Sequence, residues 1–101
     1  MNKQRRKELN ILGSKIKKVK NQDEIYECIG ILENIRDDEQ DYYDNIPENL
    51  QCSQRAEDSE QAIENMEEAL ELLEGLYGEE EFDESSIELE DVIEYIENAQ
   101  F

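Results

Sequence analysis

The chain has 101 residues, a net charge of −19, no histidine and no tryptophan. Its 37% apolar content supports one domain with a modest core, and no apolar run approaches the about 18 residues of a membrane span. The N-terminus is basic but has no apolar stretch or small-residue cleavage site, so it is not read as a secretory signal.

The charge is divided along the chain. Residues 1–20 carry a net +7, and residues 21–101 a net −26. An exterior this acidic repels nucleic acid and anionic membranes and attracts basic surfaces. The expected partner is therefore the basic surface of another protein, with no direct nucleic-acid contact and no membrane.

Residues 3–20 read as a basic amphipathic helix, with Leu9, Leu12, Ile16 and Val19 at helical spacing. Its lysines are expected to pair mainly with the protein's own acidic helices. From residue 23 to 44 a second stripe forms from Ile25, Cys28, Ile29, Leu32 and Ile35, rotated by roughly 180° from the first. That rotation favours a break at Asn21-Gln22-Asp23, with Asn21 left-handed and Asp23 as N-cap. One continuous helix over about 3–44 is the alternative. Gly30 lies mid-helix, where it costs about 1 kcal/mol against alanine, and is read as allowing close helix approach.

The second helix ends in a charge run, Asp37-Asp38-Glu39-Gln40-Asp41, then Tyr42-Tyr43-Asp44. Acids at a helix C-terminus oppose the macrodipole, so local stability does not account for them. Pro47 then enforces a corner over residues 45–52, where Ile46 and Leu50 are expected to fold back over a helix pair. Ser53 is the expected N-cap of a helix over 53–77. Ala56, Ala62, Ile63, Met66, Ala69, Leu70, Leu73 and Leu76 or Tyr77 form its apolar stripe, and glutamates crowd the rest. Gly78 is the expected residue beyond its end.

An acidic loop over 78–85 follows, containing Glu79, Glu80, Glu81, Asp83 and Glu84. Ser85 and Glu88 match a capping box for a last helix over 86–98. Leu89, Val92, Ile93 and Ile96 should face inward there. The fold class is all-α: an antiparallel helical hairpin elaborated to a three- or four-helix bundle.

Cys28 lies roughly 24 Å along the helix from the corner that holds Cys52. A disulfide needs Cα atoms within about 7 Å, so two free thiols and a reducing, cytoplasmic compartment are expected. The chain has no glycine-rich phosphate loop, nucleophile elbow or cysteine pair at metal-ligand spacing. The Glu79–Glu84 run lacks the glycine and spacing of a calcium loop. We read no enzyme, no cofactor and no metal.

Three stretches carry a resemblance. They are Gln4-Arg5-Arg6-Lys7-Glu8-Leu9, the central Glu39-Gln40-Asp41-Tyr42-Tyr43-Asp44-Asn45-Ile46-Pro47-Glu48-Asn49-Leu50-Gln51, and Arg55-Ala56-Glu57 with Ala62-Ile63. Over roughly residues 1–75 the chain resembles small proteins encoded by phages and prophages of low-GC Gram-positive bacteria. The chain departs from that group in having Cys52 where a glycine usually follows the corner, and in a less regular Asn21–Gly30 segment. The resemblance implies a phage origin and an accessory role.

Over a bundle about 40 Å long, the net charge amounts to about one per 2 Å, against about one per 1.7 Å of duplex DNA. The leading expectation is a phage-encoded inhibitor of a host defence enzyme that handles nucleic acid, of the CRISPR effector or restriction class. Asp37, Asp38, Glu39, Asp41 and Asp44 would stand in for phosphates, as would Glu79, Glu80, Glu81, Asp83 and Glu84. Tyr42 and Tyr43 would anchor beside them, with half-buried corner packing as their plainer role. The alternative is a self-associating module, a homodimer in which acidic helices of one copy meet residues 1–20 of another.

Overall fold

Four helices follow one another in the computed structural model, which describes residues 3–19, 21–50, 53–77 and 87–99. They are α1 (Lys3–Ile16), α2 (Gln22–Asp44), α3 (Gln54–Tyr77) and α4 (Ile87–Asn98). No strand occurs among the described residues.

The chain does break between the first two stripes, but not as the residues suggested. α1 ends at Ile16, and the amides of Lys18 and Val19 bond to the carbonyls of Lys15 and Ile16, tightening the last turn. Asn21, not Asp23, caps α2, and its backbone is extended (φ −151°, ψ 170°) rather than left-handed. The Asn21 carboxamide does two jobs. Its oxygen accepts from the Glu24 amide at 2.9 Å, and its Nδ2 donates to the Glu24 carboxylate at 3.1 Å. Asp23 falls instead in the first turn, where its charge suits the helix dipole.

At the other end of α2, Asn45 closes the helix through its amide and its side chain, both donating to the Asp41 carbonyl. Pro47 follows, then a single 3-10 turn over Glu48–Leu50. Ser53 caps α3, its hydroxyl accepting from the Ala56 amide at 3.3 Å. Ile46 is buried as expected, but Leu50 points outward and is 47% exposed. The 3-10 turn carries Leu50 past the end of the helix pair.

The hairpin is antiparallel, with Gln22 at the start of α2 donating to the carbonyl of Tyr77 at the end of α3. α1 runs antiparallel to α2, since Arg5 meets Glu39 and Lys15 meets Glu27. α4 runs back along α3, placing the Asn98 carbonyl beside Asn65. α1 packs on α2 and α4, and α3 packs on the same two helices, so the four close into a ring. Reversal of the chain at Asn21 also resolves the opposed stripes, because each faces the same core from its own helix.

Leu9, Leu12 and Ile16 of α1 meet Ile25, Cys28, Leu32 and Ile35 of α2 in that core. Ala62, Met66, Ala69, Leu70, Leu73 and Leu76 enter from α3, and Leu89, Val92 and Ile96 from α4. Leu76 takes the last core position of α3, leaving Tyr77 44% exposed. Ile93 is only partly buried. Gly78, the loop residues 79–85 and the Ser85 cap lie outside the described residues.

The long dimension is 49 Å, more than expected from helix length alone, and it spreads the charge more thinly. α4 has 12 residues against 24 in α3. Because α4 stops beside Asn65, the corner end of the bundle is built from three helices only.

Gly30 does not mediate a close approach. It is exposed, and a Cβ there would meet nothing within 4 Å; the same holds for Gly75. Neither adopts a positive φ. Gly30→Ala and Gly75→Ala should therefore each stabilise the fold by about 0.5–1 kcal/mol, read as higher urea midpoints with unchanged slopes.

Candidate interaction surface and the polar layer beneath it

The acidic end of α2 divides into exposed and buried members. Asp37, Asp38, Asp41 and Asp44 are exposed, and Tyr42 and Tyr43 are half-buried. At 100° per residue Asp37, Asp41 and Asp44 lie within about 60° of one another, with Asp38 to one side. These four carboxylates span about 10.5 Å of axis, or about one per 3.5 Å. A single DNA strand carries one charge per about 3.4 Å. Two of them have neighbours that temper the charge. Arg36 donates through Nε and Nη2 to Asp37, at 3.1 and 2.9 Å, and Gln40 donates to Asp44 at 2.9 Å.

Glu39 does not belong to that surface. It is fully buried, and its Oε2 accepts from Arg5 Nε. The Arg5 side chain is itself 12% exposed, and its guanidinium carbon lies 5.4 Å from the centre of the Tyr42 ring. One cation thus neutralises a core carboxylate and rests on an aromatic face. Tyr42 serves this packing and also lines a cleft of about 490 Å³ with Ile46, Pro47, Leu50 and Arg55.

Antiparallel pairing places Ser59 of α3 at the level of Glu39, on the other side of the corner. Ser59 is also fully buried, and its hydroxyl has no hydrogen-bond partner among the described residues. This polar layer lies at the three-helix end, beyond the reach of α4. Both residues were findable. Glu39 continues the α2 stripe four residues after Ile35, and Ser59 falls three residues from both Ala56 and Ala62 on the α3 stripe.

Among the described residues, α3 supplies the largest acidic feature. Glu57, Glu60, Glu64, Glu67, Glu68, Glu71 and Glu74 are all exposed. They fall within about 120° of one another and run about 25 Å along the helix, about one per 4 Å. The only basic residue of α3, Arg55, precedes this ridge. Glu79, Glu80, Glu81, Asp83 and Glu84 lie outside the described residues, so the second acidic run is not placed against the first.

Part of the basic segment is turned onto the protein's own acids. Besides Arg5, Lys15 Nζ lies 3.0 Å from the Glu27 carboxylate. Hydrogen bonding to Glu27, then its charge, raises the Lys15 pKa above the ordinary lysine value. Cys28, a free buried thiol, is pushed up chiefly by burial. Cys52 lies outside the described residues. Both shifts favour the protonated form in the folded state. Their stabilising contributions are complete below the unfolded pKa values and fade as the pH rises through the folded ones. Stability should accordingly decline as the pH rises past the ordinary thiol range, where the unfolded chain loses a proton that the folded one keeps, as followed by urea midpoints across the alkaline range.

Among the described residues, no group of three or more carboxylate or thiol side chains is placed to hold a metal ion. No described helix is long and apolar enough to cross a membrane. Comparison with protein-family models, with curated proteins and with solved structures gave no match.

Proposed function

We propose that the chain is a phage-encoded, non-enzymatic inhibitor that acts in the host cytoplasm. It occupies the basic nucleic-acid groove of a defence enzyme of the CRISPR effector or restriction class. The observation that carries this reading is the glutamate ridge of α3, a band of exposed carboxylates on one side of the helix with no Lys or Arg among them. Its spacing of about 4 Å approaches that of the phosphates along one DNA strand. Asp37, Asp38, Asp41 and Asp44 add a second short row near the corner. On this reading Glu39 supports the scaffold and touches no partner.

The alternative, a homodimer in which acidic helices of one copy meet residues 1–20 of another, draws on the eight cations of that segment. Two of the cations it would use, Arg5 and Lys15, already pair within the chain. A monomer by light scattering is the expected state.

The test starts with capture from a low-GC Gram-positive lysate, at low and at high salt. Captured nucleases are then purified and assayed for inhibition. The chain should compete with DNA for the enzyme and should bind less tightly as salt rises. A ternary complex with DNA bound, or an affinity indifferent to salt, overturns the proposal.

A further inference from the structure

The end of the bundle opposite the corner, where α2 begins and α3 finishes, carries an exposed aromatic pair. Tyr26 is 63% exposed and Tyr77 44%. Their ring centroids lie 5.5 Å apart, with the planes tilted by 40°. The Gln22 side chain donates to the Tyr77 carbonyl at 3.2 Å and ties the two helix ends together, so the pair sits on a fixed platform. Aromatic pairs at this distance belong ordinarily to cores and interfaces. Here both rings are exposed, and the neighbouring Leu76 fills the core position instead.

Two acids flank the pair in sequence. Asp23 and Glu74, both exposed, stand one turn from Tyr26 and Tyr77. Gly30 lies one turn beyond Tyr26 on the same face, with open space where a side chain would be. No Lys or Arg occurs from residue 21 to 35 or from 56 to 77. The lysines described at this end of the bundle, Lys15, Lys17 and Lys18, belong to α1 and the connection after it, and Lys15 is held by Glu27.

From this juxtaposition we infer that Tyr26 and Tyr77 form a docking point for an arginine side chain on a cationic protein partner. A guanidinium is planar and weakly hydrated. It stacks on a tyrosine face while its N–H groups reach a carboxylate, whereas the compact lysine ammonium stays solvated. Carboxylates attract both cations and pair with a guanidinium bidentately; the rings add a further preference for arginine, which the tyrosine variants isolate. The inference rests on the cationic partner proposed above and supplies its anchor and its selectivity.

The test is calorimetric titration of the full chain with a deca-arginine and a deca-lysine peptide at one fixed low salt concentration. The arginine peptide should bind about fivefold tighter. Tyr26→Ala and Tyr77→Ala should each bring the two affinities towards equality while helicity by circular dichroism is unchanged. Tyr26→Leu keeps apolar bulk without a π face and should do the same, which separates stacking from packing should an alanine variant lose its fold. Glutamine at Glu60, Glu64, Glu67 and Glu68, ridge positions away from the tyrosine pair, should weaken both peptides, and Tyr26→Leu should still lower their ratio in that background. Equal affinities in the unmodified chain, or a ratio that survives Tyr26→Leu, overturn the anchor and leave the acidic-surface reading standing. Failure of both peptides to bind overturns the two together.

Discussion

Arg5→Met is expected to destabilise the protein by about 3–5 kcal/mol, seen as a large fall in the urea midpoint. The reason is asymmetric. Glu39 is fully buried at the three-helix end, and Arg5 is the cation on its carboxylate. Removing Arg5 deletes one partner of a buried pair, which costs far more than the intact pair contributes. Domains of this size have total stabilities of only about 5–15 kcal/mol, so the variant should stand near unfolding. Arg5→Met combined with Glu39→Leu should recover most of the loss, because a buried pair replaced by packed apolar side chains is often neutral or better. The double-mutant cycle then reads the coupling directly. A cost below about 1 kcal/mol for Arg5→Met would reduce the pair to an ordinary surface bridge.

The second large effect concerns the α3 ridge, where stability and binding should move in opposite directions. Glu60, Glu64, Glu67, Glu68 and Glu71 participate in like-charge pairs at i,i+3 or i,i+4, among them Glu60/Glu64, Glu64/Glu68 and Glu67/Glu71. Each such pair costs a few tenths of a kcal/mol at low salt. Glutamine at these five positions should therefore stabilise the fold by about 2 kcal/mol at low ionic strength. The gain should shrink as salt screens the repulsion. The same variant should lose partner binding and most of its salt dependence. For comparison, DNA binding through six to ten phosphate contacts falls by about 10³-fold or more between about 50 and about 200 mM salt. A ridge variant that is more stable yet binds the partner undiminished would remove α3 from the interface.

These two residue sets were not equally legible beforehand. The α3 glutamates are visible in the sequence as a crowded polar face, and their exposure follows from the apolar stripe opposite them. Glu39 looked like one more acid in the run Asp37-Asp38-Glu39-Gln40-Asp41. Periodicity alone put it on the core side, but a run of charges reads as solvated unless a cation is known to be within reach. That cation comes from α1, 34 residues earlier in the chain.

The sequence by itself determined the helical class, the corner at Pro47, the cap at Ser53 and most of the apolar core positions. All of these follow from forces acting within a few residues: the 3.6-residue repeat, the missing proline N–H and the reach of a hydroxyl to a nearby amide. Only the tertiary structure decided the rest. Leu76 rather than Tyr77 completed the core, leaving Tyr77 to pair with Tyr26 across two helices. The short α4 left the corner end to three helices, and there a buried ion pair between α1 and α2 takes the place of apolar packing. Each of these depends on which helices lie side by side and at what level, and no local pattern along the chain carries that information.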